Sequence, residues 1–330
     1  MGDAPAPALS DAPPATEACR LVKERPRQAL RAGTRGSALA LRQTELIVNQ
    51  LRAAHPHVRV KSVPIRTQGD RDRSTPLSLL GGKGVFVKEL EAALLDGRID
   101  FAVHSLKDVP STLPEGLAIV AVGARADARD ALVSRHGATL AQLPAGAHIG
   151  TGSRRRRAEL LALRPDIVPV EVRGNVGTRI GRVRDGSLDA VVLAVAGLER
   201  LGRLHEAAQI FAPDELLPAV GQGALAVEAR EGDQRTAALF ASIDDADTHR
   251  CVRAERAFLA RLGAGCTTPA AAYCTHGGAS LLLRALIAGD DGVALRETRT
   301  GVANEPEALG VAVAGALIER GALGLLARST

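Results

Sequence analysis

Twice along this chain, strand-like runs alternate with helix-like runs, and that rhythm leaves few folds open. QALRAGT reads as a strand and leads into a helix from Ser37, with Leu39, Leu46, Ile47 and Leu51 on one face. HVRVKSVPIRT alternates like a half-buried strand, VFVKELEAALLDG returns to a helical period, and IDFAVHS is a short apolar strand. The rhythm resumes with DALVS, HIGTG before SRRRRAELLAL, IVPVEVRG before NVGTRIGRV, and DAVVLAVAG. Such alternation predicts α/β units with a parallel sheet. GALAVEAR is a further strand that can return to the first sheet. From Asp244 the order changes to a long helix, three strand-like runs (TPAAAYCT, SLLLRALIA, GVALRETRT) and a last helix over about 306–320. Strands grouped between helices suggest a small α+β domain.

In open α/β sheets, ligands bind beyond the carboxyl ends of the strands. Four segments fall there: GTRGS (33–37), HSLKD (104–108), GTGSRRRR (150–157) and RGNVGTR (173–179). Three are strand–turn–helix junctions, where the free N–H groups of a first helical turn favour an anion. Each of the three also brings arginine, whose planar fork grips carboxylate or phosphate. Four arginines at a helix N-terminus are electrostatically unfavourable unless an anion compensates them. Consecutive helical positions turn by ~100°, so two of the four can line a site while two meet solvent. The plainer alternative for the whole set is solvated helix faces.

HSLKD pairs Lys107 with Asp108, either as a surface ion pair or as a carboxylate poised to move protons and stabilise a developing cation. Lys107 could instead serve as a Schiff-base amine. Cys266, in the Gly-rich stretch RLGAGCTTP, reads as a small hydrophobe or as a cofactor-bearing thiolate. His249, Cys251, Cys266, Cys274 and His276 cluster in sequence, but their spacings match no zinc knuckle.

Composition removes several classes. Aromatic residues make up 2% with no Trp, so the stacking platform of single-strand nucleic-acid binders is missing. A net charge of +5 over 330 residues argues weakly for duplex binding. No apolar run is long enough to span a membrane. Four cysteines without CxxC spacing predict a reduced, cytoplasmic setting. Residues 1–26 are rich in Ala and Pro and read as a disordered tail, not a secretory signal.

Seven segments, in order, carry a resemblance: TRGSALAL, GGKGVFVKELEAALLDGRIDFAVHSLKDVP, GTGSRRRRAEL, VRGNVGTR, LAVAGLERLG, LPAVGQGALAVE and GAGCTTP. Together they resemble the porphobilinogen deaminase (hydroxymethylbilane synthase) family over about residues 27–330. The resemblance implies two doubly wound, periplasmic-binding-protein-like α/β domains plus a small α+β C-terminal domain. Its expected boundaries are 27–123 with 222–241, then 129–217, then 244–330. It implies a monomer that polymerises four porphobilinogen molecules head to tail into hydroxymethylbilane, releasing ammonia. Growth occurs on a covalent dipyrromethane cofactor. By the same resemblance Asp108 is the catalytic carboxylate and Cys266 bears the cofactor. Lys107, Ser105, Ser153, Arg155, Arg156, Arg173 and Gly174 hold that cofactor. Arg35, Ser37, Lys83, Phe86, Arg179 and Gln222 bind substrate; no metal, nucleic acid or membrane is implied. Gly152, Arg154 and Leu79 depart from residues common in the family. The competing reading is a binding protein for an anionic small molecule on the same two-lobed fold, which would leave Asp108 and Cys266 without work.

Overall fold

The computed structural model describes residues 29–71, 84–263, 268–290 and 292–327. The N-terminal tail, the segment holding Leu79 and Lys83, and Cys266 lie outside the described residues.

The chain opens with β1 (Leu30–Arg35), α1 (Ala38–Ala54), β2 (Val60–Ile65), a helical turn α2 (Gln68–Arg71), α3 (Lys88–Leu95), β3 (Phe101–Ser105) and β4 (Leu117–Val122). It then runs through β5 (Asp130–Ser134), β6 (His148–Gly150), α4 (Arg154–Leu163), β7 (Val168–Val170), α5 (Val176–Arg184), β8 (Ala190–Ala194), α6 (Val195–Arg200) and β9 (Gln209–Ile210). It returns with β10 (Leu225–Arg230) and α7 (Gln234–Phe240). The last part is α8 (Ala246–Arg261), β11 (Ala270–Gly277), β12 (Ser280–Ala288), β13 (Ala294–Val302), α9 (Pro306–Glu319) and α10 (Ala322–Ala327).

Three sheets result, in the orders β2-β1-β3-β10-β4, β7-β6-β8-β5-β9 and β11-β12-β13. The first two share a plan: three parallel strands, then one strand running against them. That opposed strand is β10 in the first sheet and β5 in the second, each the first strand after the chain crosses between lobes. The expectation of parallel sheets is thus corrected to mixed ones. Hydrophobic period reports a strand but not its direction.

Alternation within strands places the helices. In β3, Phe101 and Val103 pack with Ile47 and Leu51 of α1, while Ala102 faces Leu90 and Leu94 of α3. In β8, Val192 joins Leu160 of α4, while Val191 and Leu193 join Ile180 and Val183 of α5. Both sheets are therefore covered on both faces, which leaves strand ends as the open places. Strand DAVVLAVAG ends earlier than its sequence suggests, because Val195–Arg200 turns into α6.

The two crossings, 123–129 and 218–224, run side by side. Ala126 N donates to Gly223 O at 3.2 Å, and the Gln222 amide donates to Ala128 O at 2.7 Å. Gly223 has φ +89, and a Cβ there would strike the Ala126 carbonyl oxygen, so this close approach requires glycine.

Candidate active-site cleft

The strand ends of both lobes face one cleft of about 1410 Å³. Every predicted site residue that is described lines it: Arg35, Ser37, Phe86, Ser105, Lys107, Asp108, Ser153, Arg155, Arg156, Arg173, Gly174, Arg179 and Gln222. Local sequence explains the placement. Ser37, Ser153 and Asn175 are the N-caps of α1, α4 and α5, accepting from Ala40 N (3.2 Å), Arg156 N (3.4 Å) and Thr178 N (2.8 Å). Gly174 precedes the last of these with φ +105, a conformation suited to glycine. Ser105 ends β3 and accepts from Gln43 Nε2 at 2.8 Å; Lys107 and Asp108 follow in a single 3₁₀ turn.

The four arginines divide as helical geometry requires. Arg155 and Arg156 are buried, whereas Arg157 is exposed and donates to Pro169 O, and Arg154 pairs with Asp290 at 2.7 Å. Their partners differ from the sequence expectation, in which a bound anion supplies the compensating charge. Arg155 donates to Asp130 Oδ2 at 2.7 Å, Glu159 Oε2 at 3.0 Å and Leu217 O at 2.7 Å. Arg156 donates to Asp130 Oδ1 at 2.7 Å and Val192 O at 2.9 Å. Much of the charge is therefore balanced from within. Yet the Nε of each arginine is buried with no hydrogen-bond partner among the described residues, and a buried unmet donor costs ~1–3 kcal/mol.

Arg35 likewise carries an internal carboxylate. Its fork holds Asp70 at 2.5 and 3.2 Å, and its guanidinium lies 4.2 Å over the Phe86 ring. Gln222 is fully buried, donating to Asp130 Oδ1 at 2.7 Å and accepting from Lys107 Nζ at 3.1 Å. Its amide ties the first lobe to the second.

Positive charge is crowded here. Burial and then Arg156 push the Lys107 ammonium down to about 8, against the opposing pull of Asp108 and Asp130. Burial and Arg156 likewise push Arg179 down to about 10, with Asp108 opposing. Asp108 thus acts electrostatically on a cation from each lobe. Such a site stabilises anions and can hold a carboxylate against a developing positive charge.

Sequence reasoning missed several lining or supporting residues. Arg200 lines the cleft, donates to Gly223 O at 2.6 Å, and is lowered by burial. Nothing in GLERLG distinguishes it from a surface arginine. Asp70 and Asp130 carried faint signals, the first in QGD and the second as the one charge opening an apolar strand.

Comparison with known proteins gives a consistent result. Residues 30–238 match the family model described as "Porphobilinogen deaminase, dipyromethane cofactor binding domain", and residues 249–319 match "Porphobilinogen deaminase, C-terminal domain". A protein of Syntrophotalea carbinolica named porphobilinogen deaminase is 50% identical over 300 residues, covering 91% of this chain and 95% of its own. A protein of that name from Roseiflexus castenholzii is 48% identical over 301 residues, covering 91% and 99%. Among solved structures, the periplasmic VFT2 domain of Bordetella pertussis BvgS aligns with TM-score 0.39 and 14% identity, covering 65% of this chain and 86% of that one.

Proposed function

We propose a division of labour among the cleft residues from one premise: the chain belongs to the porphobilinogen deaminase family. It is a transferase of tetrapyrrole biosynthesis that polymerises four porphobilinogen molecules into hydroxymethylbilane, with release of ammonia. Its cofactor is dipyrromethane. When bound, that group supplies the primer on which the chain grows.

The observation that carries the residue assignments is the crowding of half-buried cations around Asp108. Porphobilinogen bears two carboxylates on every pyrrole, so both primer and product are polyanions. Arg155 and Arg156, together with Lys107, Ser105, Ser153, Arg173 and Gly174, line the cleft and fit a polycarboxylate cofactor. Arg35, Ser37, Phe86, Arg179 and Gln222 form the substrate side, with Lys83 and Cys266 assigned from the family motifs. Arg35 would exchange Asp70 for a substrate carboxylate, since both compete for one fork.

In deamination the C–N bond of the protonated aminomethyl group breaks and its electron pair leaves with nitrogen, which departs as ammonia. The pyrrole nitrogen then carries the positive charge. Asp108 stabilises that charge and afterwards takes up the proton released when the new carbon–carbon bond forms. Asp108→Asn keeps shape and loses charge and basicity. Ammonia release from porphobilinogen should fall ~10²–10⁴-fold, with substrate binding retained. Near-normal release by that variant would remove Asp108 from catalysis.

We also infer a cytoplasmic monomer with no nucleic-acid partner. Four cysteines without CxxC spacing and an aromatic content of 2% support that reading. Light scattering that reports a dimer at micromolar concentration would contradict the monomer.

A further inference from the structure

We infer that Asp130 is a positioning residue for this site: an internal anion that gathers two arginine side chains onto the cleft. The inference rests on the reading of Arg155 and Arg156 given above.

Neighbouring residues on a helix point ~100° apart, so Arg155 and Arg156 have no intrinsic reason to meet. They meet at one carboxylate. Asp130 Oδ2 accepts from Arg155 Nη2 at 2.7 Å, and Oδ1 accepts from Arg156 Nη2 at 2.7 Å. The Gln222 amide, from the second crossing, donates to the same Oδ1 at 2.7 Å. Asp130 can serve as an anchor because its own backbone is fixed. It opens β5 directly after the first crossing, pairs with Ala194 of β8, and its carbonyl accepts from Phe211 N at 2.9 Å.

The carboxylate is wholly buried, and three strong donors converge on it. Burial raises its affinity for a proton, but Arg156 and then Arg155 hold its carboxyl well below the usual carboxylate range. It therefore works as a permanent charge and not as a proton carrier. Held by Asp130 through their Nη atoms, both arginines still line the cleft.

The test uses the full-length protein with Asp130→Asn, which removes the charge, and Asp130→Glu, which keeps the charge but displaces it by one methylene. Intact mass of the wild type comes first: absence of the dipyrrole adduct would overturn the reading of the cleft itself. With that adduct present, the inference predicts two changes in the variants. The fraction of folded chains that acquire the adduct on incubation with porphobilinogen should fall about tenfold or more. KM of the loaded fraction should rise about tenfold, with kcat changed far less. Circular dichroism and the thermal midpoint report the fold separately. Lowered midpoints with wild-type loading and KM in the folded fraction would mean a purely structural ion pair, and would overturn the inference. Should Asp130→Asn not fold, Asp130→Glu decides alone, because it keeps the buried charge.

Discussion

Lys107 carries its charge where burial and Arg156 oppose it, which pushes the ammonium down to about 8. In the unfolded chain the same group binds its proton up to about 10.4. Between these values the unfolded chain holds more protons, so this group's contribution to stability rises with pH across that window. Below about 8 both forms are charged and the full cost is present. A cofactor carboxylate reverses the balance by favouring the charged form. The fraction of chains that acquire the cofactor should therefore fall as the loading pH passes about 8, and Lys107→Arg, which does not deprotonate, should flatten that fall. Wild-type loading that stays level from neutral pH into the alkaline range would contradict this role. Arg156 behaves differently. Leucine there strands a wholly buried Asp130 beside Arg155 alone, and breaking a buried ion pair costs ~3–5 kcal/mol. Arg156→Leu should thus lose stability in urea as well as cofactor loading, while Arg173→Leu, at a half-buried position, should lose binding alone. Equal urea midpoints for wild type and Arg156→Leu would show that the pair is not structural. The importance of Arg155 and Arg156 was legible from small residues before a run of arginines. Their partners were not, because Asp130 and Gln222 lie 26 and 66 residues away in the chain.

At the level of elements, hydrophobic period carried most of the information. The helix after Ser37, the helix after Ser153 and the three C-terminal strands fall where apolar spacing and N-caps put them. The strand Leu117–Val122 and the helix Gln234–Phe240 went unmarked, the first lying just after a Pro-containing stretch and the second being short. Strand direction was out of reach, since β10 and β5 read the same way forwards and backwards along a sheet. What orients them is the pair of crossings, held together at Gly223 and Ala126. A side chain at Gly223 would have to displace a backbone carbonyl at a positive φ. Gly223→Ala should therefore destabilise the fold by ~1–3 kcal/mol, read as a lower midpoint in urea. An unchanged midpoint would mean that the crossings move apart freely.

At the scale of the whole molecule, two similarly wound lobes exchange one strand each and bring their strand ends to a common cleft. The first lobe supplies Asp108 and Lys107, the second supplies the buried arginines, and Gln222 bridges them from a crossing. The third sheet follows α8, and the stretch between α8 and β11 holds Cys266. Cys251 and Cys274 are buried in the core formed by α8, the third sheet and α9, and are poor candidates for a covalent group. The central claim is a polyanion assembled on a primer bonded to this chain, and intact mass followed by peptide mapping tests it most directly. Freshly purified active protein should be heavier than its sequence by one dipyrrole unit, through an acid-stable bond at Cys266, and Cys266→Ser should lose adduct and activity together. Active protein with the bare mass of its sequence, or an adduct on Cys251 or Cys274, would contradict the account.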